Sequence, residues 1–147
     1  MFKSILVPTD GSRRSQKAAT RAVALAKSLG AKVTGLFAAP PATPIVYRDN
    51  LPVGFTTPAD HARMIERSAA SYLGVIEQAA KKAGVPFEAV IVTSDYPADT
   101  ILATAKKKKC DLIVMATHGR RGVRSMLLGS ETQRVLTESK TPVLVMS

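Results

Sequence analysis

Five short runs rich in aliphatic and aromatic residues punctuate the chain, at Phe2–Val7, Lys32–Ala38, Phe87–Val92, Asp111–Ala116 and Pro142–Met146. Three are almost continuously aliphatic, the composition a strand needs when both its faces are covered. Between them the apolar period changes. Ala18, Ala19, Ala22, Val23, Ala26 and Leu29 share one face of a helix that Gly30 stops. Ala69, Tyr72, Leu73, Ile76, Ala80 and Ala83 mark a second helix, ended by Gly84. Pro97 suits the first turn of a third, which carries Ile101, Leu102 and Ala105 inward, and a fourth runs from about Ser130 to Ser139. Strands alternating with helices predict parallel pairing through right-handed crossovers. The expected fold is α/β: an open, doubly wound, five-stranded parallel sheet of Rossmann-like type with helices on both faces.

Residues 40–58 (PPATPIVYRDNLPVGFTTP) break this rhythm with five prolines and neither a helical nor a strand period. They read as a long loop, either a lid or partner contact near the site or a plain connection. No internal repeat accompanies it.

A chain of 147 residues fits one domain, residues 1–147, able to bury roughly 68% of the surface its unfolded form exposes. Its 46% apolar and 22% charged residues are ordinary globular values. No apolar run approaches the roughly 18 residues of a membrane span, so no membrane partner is expected. Met1–Ser12 lacks a signal-peptide layout, and the single cysteine, Cys110, cannot form an internal disulfide and reads as an inert buried thiol. The expected location is the cytoplasm.

The net charge of +10 raises nucleic acid as a partner. The obvious basic run, Lys106–Lys109, falls in the last turn of the third helix, where cations favour the dipole. Seven aromatics in the whole chain, and none beside that run, give no platform for stacked bases. Nucleic acid is therefore disfavoured.

In open α/β sheets ligands bind beyond the carboxyl ends of the strands, so the loops there carry the candidate chemistry. Pro8-Thr9-Asp10-Gly11-Ser12 follows the first strand. Asp10 offers a carboxylate to ribose hydroxyls or an adenine amine; alternatively Asp10 or Ser12 caps the first helix and Gly11 turns the chain. Ala116-Thr117-His118-Gly119-Arg120-Arg121-Gly122 follows the fourth strand, with Gly129-Ser130 beyond. Gly119 and Gly122 permit close approach to the backbone. Ser130 and Gln133 form a capping-box pattern, placing a helix start, a natural phosphate seat, at Gly129-Ser130. Arg120, Arg121 and Arg124 add cations. His118 is a phosphate contact or a structural residue, and His61, in the approach to the second helix, reads as structural. There is no phosphate-binding G-x-x-x-x-G-K-[ST], no G-x-G-x-x-G after the first strand and no G-x-S-x-G elbow, so no catalytic residue is assigned. Two histidines and one cysteine so far apart suggest no metal site.

The run Ile5-Leu6-Val7-Pro8-Thr9-Asp10-Gly11-Ser12 resembles the opening of universal stress proteins, and the text from Asp111 to Met146 (DLIVMATHGRRG, LLGSETQRVL, TPVLVM) resembles that family's ending. The family's ATP-binding branch carries Gly, two residues, Gly, nine residues, Gly, then Ser or Thr. Gly119, Gly129 and Ser130 match, while Ala116 replaces the first Gly, a methyl that crowds a ribose or phosphate passing over the backbone. The resemblance implies an adenine nucleotide alpha hydrolase-like fold that binds ATP, with Mg2+ as its companion ion. It places Pro8, Thr9 and Asp10 near the adenosine, Ala38 in the adenine pocket, and Met115 and Ala116 under the ribose. It brings His118, Gly119, Arg120, Gly122, Gly129, Ser130 and Glu131 around the phosphates, with Gly119, Gly129, Ser130 and Glu131 meeting them through backbone and hydroxyl groups. It also implies a homodimer through the last strand. The function so implied is a regulatory, stress-response nucleotide-binding module with little or no turnover. A slow ATPase or self-phosphorylating enzyme is the first alternative, and a basic adaptor for nucleic acid or an acidic protein the second.

Overall fold

The computed structural model describes residues 1–41, 46–48, 51–53, 57–118 and 128–147, with the backbone alone at 46–48 and 51–53. In chain order the elements are β1 (Ser4–Thr9), α1 (Arg13–Leu29), β2 (Lys32–Ala39), β3 (Val46–Arg48), β4 (Leu51–Val53), α2 (Pro58–Ala83), β5 (Phe87–Thr93), α3 (Pro97–Lys107), β6 (Leu112–Ala116), α4 (Ser130–Glu138) and β7 (Val143–Met146). The main sheet is parallel throughout in the order β5-β2-β1-β6-β7. This is the expected doubly wound α/β sheet.

Alternation along the central strands sends side chains to two cores. Ile5, Val7, Val33 and Val114 join Leu73 and Ile76 beneath α1 and α2, while Leu6, Leu36 and Ile113 join Ile101 and Val135 beneath α3 and α4. Burying these branched side chains, at roughly 1.5–3 kcal/mol each, is the main force holding the three layers together. Helix ends are set by local chemistry. The Ser12 hydroxyl accepts from the Ser15 N–H at 3.2 Å to cap α1, and the Thr57 hydroxyl accepts from the Asp60 N–H at 3.1 Å to cap α2. Gly30 and Gly84 close those helices in left-handed conformation.

Several boundaries differ from the sequence reading. Pro8 and Thr9 belong to β1 rather than to the loop after it, because their backbones continue in register with Leu36 and Phe37 of β2. Asp111 stands before its strand: its carboxylate accepts the N–H groups of Lys3 and Ser4 at 2.8 and 2.9 Å, tying β1 to β6 at the amino edge. Burial pushes this carboxyl's pKa up, but the two backbone bonds outweigh that and hold it below its ordinary 3.8. α2 begins at Pro58, so His61 lies in its first turn rather than ahead of it. Within the stretch 40–58, where the sequence shows no strand period, β3 and β4 pair antiparallel, Val46 with Val53 and Arg48 with Leu51. β5 and β7 are edge strands with partly exposed residues, so only the three central strands are covered on both faces.

Candidate functional site

The chain runs outward from β1 through β2 to β5, then returns to place β6 on the other side of β1. Strand order therefore reverses between β1 and β6, where doubly wound sheets hold ligands. Here the ladder stops early: β1 and β6 are registered only at Ile5–Leu112 and Leu6–Ile113, whereas β1 and β2 are registered to Thr9–Phe37. Pro8 supplies the reason. Lys3 gives its carbonyl to Lys32 on the β2 side and Ser4 gives its carbonyl to Asp111 on the β6 side, so alternate residues face alternate neighbours. Pro8, four after Ser4, faces β6 and has no N–H to donate. Above Leu6 no further residues of β1 and β6 are paired in register.

On the β1 side the chain folds into a tight turn. The Thr9 hydroxyl is buried, lies 3.1 Å from the Ser15 hydroxyl and accepts the Gly11 N–H at 3.2 Å. Asp10 accepts the Ser12 N–H at 2.9 Å through one carboxylate oxygen, a local Asx turn. Gly11 has φ +80°, and a Cβ there would fall within the Tyr72 ring. That ring meets Phe37 edge-on with centroids 5.3 Å apart, so the turn is clamped from α2. Both readings of the loop have a footing: Ser12 caps α1, and Asp10 sits half-buried at the carboxyl edge.

On the β6 side two bonds hold the start of α4 against the strand end, and a third ties that end to β7. Gly129 donates its N–H to the Thr117 carbonyl at 2.7 Å, the buried Thr132 hydroxyl donates to the Ala116 carbonyl at 3.0 Å, and Thr117 donates to Met146 at 3.0 Å. The capping box is not formed. Gly129 is the cap, no side chain among the described residues caps this end, and the Gln133 amide donates instead to the Leu128 carbonyl. The reason is that Ser130 is already helical, one position too late for its hydroxyl to reach back. Consequently the first-turn N–H groups keep their partial positive charge uncapped and the Ser130 side chain is exposed. Glu131 turns its carboxylate away to accept the Ala98 N–H at 2.8 Å at the start of α3, where Tyr96 offers no side-chain cap. Only the Glu131 backbone is left to face a ligand.

Thr9, Asp10, Met115, Ala116, Gly129 and Ser130 thus meet around the carboxyl ends of β1 and β6, with Ala38 one strand away and the buried His118 bonded to the Thr117 hydroxyl at 3.2 Å. Gly119, Arg120, Arg121, Gly122 and Arg124 lie outside the described residues. Among the described residues no group of three or more His, Cys, Asp or Glu side chains is arranged to hold a metal. Two positioning residues escaped the sequence reading. Thr132 carried no signal beyond its helical position, and Tyr72 counted as core because its spacing matched Leu73 and Ile76.

Strand ends that run past their last registered pair beside a helix start leave polar backbone at one edge, and the sequence around it decides the family. The profile of the universal stress protein family matches residues 1–147. The chain belongs to the universal stress protein family. A universal stress protein of Thermus aquaticus is 37% identical over 145 residues, 99% of this chain and 98% of that relative. Universal stress protein MJ0531 of Methanocaldococcus jannaschii is 33% identical over 145 residues, 99% of this chain and 82% of the relative. Among solved structures, a universal stress protein in complex with cAMP shares the fold at a TM-score of 0.70, with 26% identity over 99% of this chain and 97% of that one.

Proposed function

We propose that this universal stress protein binds an adenine nucleotide, ATP with Mg2+, across the carboxyl ends of β1 and β6, and senses it with little or no turnover. The observation that carries the reading is the early end of the β1–β6 register beside an α4 start that has no side-chain cap among the described residues. Pro8 ends the registered β1–β6 ladder, and at the same edge the first-turn N–H groups of α4 from Ser130 onward have no side-chain cap among the described residues and the Ser130 side chain is exposed. These groups fit a polyphosphate, and the half-buried Asp10 fits the hydroxyls or amine of an adenosine. The related protein in complex with cAMP supports the adenine part of this ligand. The reading is binding with little or no turnover because the sequence names no convincing base or metal site to activate water.

The same reading takes the chain as a single cytoplasmic domain that pairs as a homodimer. Among the described residues β7 has β6 on one side and no strand on the other, and it leaves Leu144 38% exposed. An apolar open edge of this kind suits a second copy. Asp10→Ala tests the site: adenosine affinity falls while phosphate contacts persist. Unchanged affinity for both ATP and adenosine would remove Asp10 from the assignment.

A further inference from the structure

Cations are not scattered over this molecule; lysine and arginine are sorted to different places. Because every crossover helix runs antiparallel to the sheet, the ends of α1, α2 and α3 arrive at the edge where the strands begin. α1 brings Lys27, α2 brings Lys81 and Lys82, and α3 brings Lys106 and Lys107. Lys108 and Lys109 follow directly on α3, and Lys109 takes φ 53° as the chain turns into β6. Lys3 and Lys32 stand at the starts of β1 and β2, joined by the Lys32 N–H to the Lys3 carbonyl, and Lys140 precedes β7. Ten of the eleven lysines of the chain are thus at the amino edge. Of these only Lys108 is less than exposed, and it pairs with Glu88.

The arginines with described side chains lie elsewhere. Arg13 and Arg14 are in the first turn of α1, Arg63 and Arg67 in the early turns of α2, and Arg21 and Arg134 in mid-helix. Helix dipoles account for lysines in last turns, but not for Lys3, Lys32, Lys109 and Lys140, nor for the exclusion of arginine, which serves a dipole equally well. Nor do carboxylates neutralise the edge. Glu88 and Glu138 are already paired with Lys108 and Arg134, and Asp111, which stays anionic as it accepts the Lys3 and Ser4 N–H groups, offsets a single charge of the ten lysines.

The array is two-dimensional. Lys27, Lys81 and Lys82 end the helical layer on one face, Lys106 to Lys109 and Lys140 belong to the layer on the other, and Lys3 and Lys32 lie in the sheet between them. A rod-like duplex laid on such an end face meets only a line of charges; a planar anionic surface meets all of them. Lysine heads are hydrated point charges on flexible stems, suited to diffuse headgroups rather than to forked recognition of one phosphate. The exposed Leu29 at the end of α1 adds an apolar contact at the same edge.

We propose that the amino edge of this protein docks peripherally on an anionic lipid bilayer, leaving the carboxyl edge and its nucleotide site facing the solvent. Such docking needs no membrane-crossing segment, so the lack of an apolar span in the sequence does not exclude it. It rests on clustered lysines acting within a Debye length of the surface, and salt therefore weakens it.

The test is co-sedimentation of the full chain with phosphatidylcholine vesicles containing about 30% phosphatidylserine, a composition that carries the negative surface potential of a cytoplasmic leaflet. Binding is expected at low salt, is lost without phosphatidylserine, and falls by about a hundredfold or more when Lys3, Lys32, Lys109 and Lys140 are all changed to glutamine. A variant that removes the same charge from the other end, with Arg14, Lys17, Arg63 and Arg67 changed to glutamine, should retain most of it. Circular dichroism shows whether both variants are folded; if the lysine variant is not, the pairs Lys3→Gln with Lys32→Gln and Lys109→Gln with Lys140→Gln repeat the comparison. Equal loss in both charge variants, or no binding to the anionic vesicles, overturns the proposal. So does tighter binding to duplex DNA than to vesicles at the same salt, with the same lysine dependence, because the partner is then nucleic acid.

Discussion

The Thr132 hydroxyl donates to the carbonyl of Ala116 at 3.0 Å, fastening the start of α4 to the last residue of β6. Both residues are buried, so the bond is made where an unpaired carbonyl has no water to turn to. It fixes the distance between the strand end, where the family's first motif glycine is replaced by alanine, and the uncapped helix start. Thr132→Val keeps the shape and removes the donor. Stability should fall by about 1–3 kcal/mol, the cost of stranding a buried acceptor, as read from the midpoint of urea unfolding. Nucleotide affinity should fall with it.

Glu131 provides the opposite case. Its carboxylate serves the start of α3 through Ala98, so Glu131→Ala should cost about 0.5–2 kcal/mol of stability while the nucleotide affinity of the folded protein is unchanged. Loss of affinity at full stability would place the carboxylate at the ligand instead.

The turn after β1 is closed by steric contact as well as hydrogen bonds. Gly11→Ala must hold a side chain at φ +80° and displace the Tyr72 ring, and it should destabilise by about 2–4 kcal/mol. Pairing it with Tyr72→Ala should recover part of that loss beyond the sum of the single effects, because the two changes act at one contact. Strict additivity in thermal unfolding would show that the ring does not clamp the turn.

At the amino edge, the Asp111 carboxyl is held below 3.8 by its backbone bonds. A carboxyl depressed in the folded state stabilises the fold above its unfolded value, and that gain is lost as pH falls through the folded value. Asp111→Asn should therefore cost about 1–2 kcal/mol at neutral pH, a figure reduced for partial solvent screening. The difference from the parent protein should shrink below pH 3.8. A difference that stays constant from neutral pH into the acid range would contradict this assignment.

Much of this architecture is written in the chain. The aliphatic runs at Ile5–Val7 and Leu112–Ala116 follow directly from burial and period, as do the α1 face from Ala18 to Ala26 and the α2 face from Ala69 to Ala80, while Leu29, expected on the α1 face, is exposed at the end of that helix. What the sequence hid depends on contacts between distant residues. Glu131 looks like a first-turn acid serving its own helix, yet it caps α3. Ser130 and Gln133 have the spacing of a capping box, yet Gly129 takes the cap because it is pinned to Thr117. Pro8 looks like the end of a strand until the register with β2 carries it through, and only then does its missing N–H explain where the β1–β6 ladder ends. β3 and β4 are too short, at three residues each, to show a period among the prolines.

Ala116 is the one departure from the ATP-binding motif. Ala116→Gly should tighten nucleotide binding by up to about tenfold, the low end of what one methyl group decides in a pocket. Titration calorimetry on both proteins checks the direction, and equal or weaker binding by the glycine variant would show that the methyl does not crowd the ligand.

The central claim is met most directly by titrating the purified protein with ATP and magnesium in the calorimeter, after denaturing extraction to detect nucleotide carried through purification. The account predicts micromolar binding or co-purified adenine nucleotide, with weaker binding in Ser130→Ala. A folded protein that releases no nucleotide and gives no binding heat at any temperature tried would contradict it.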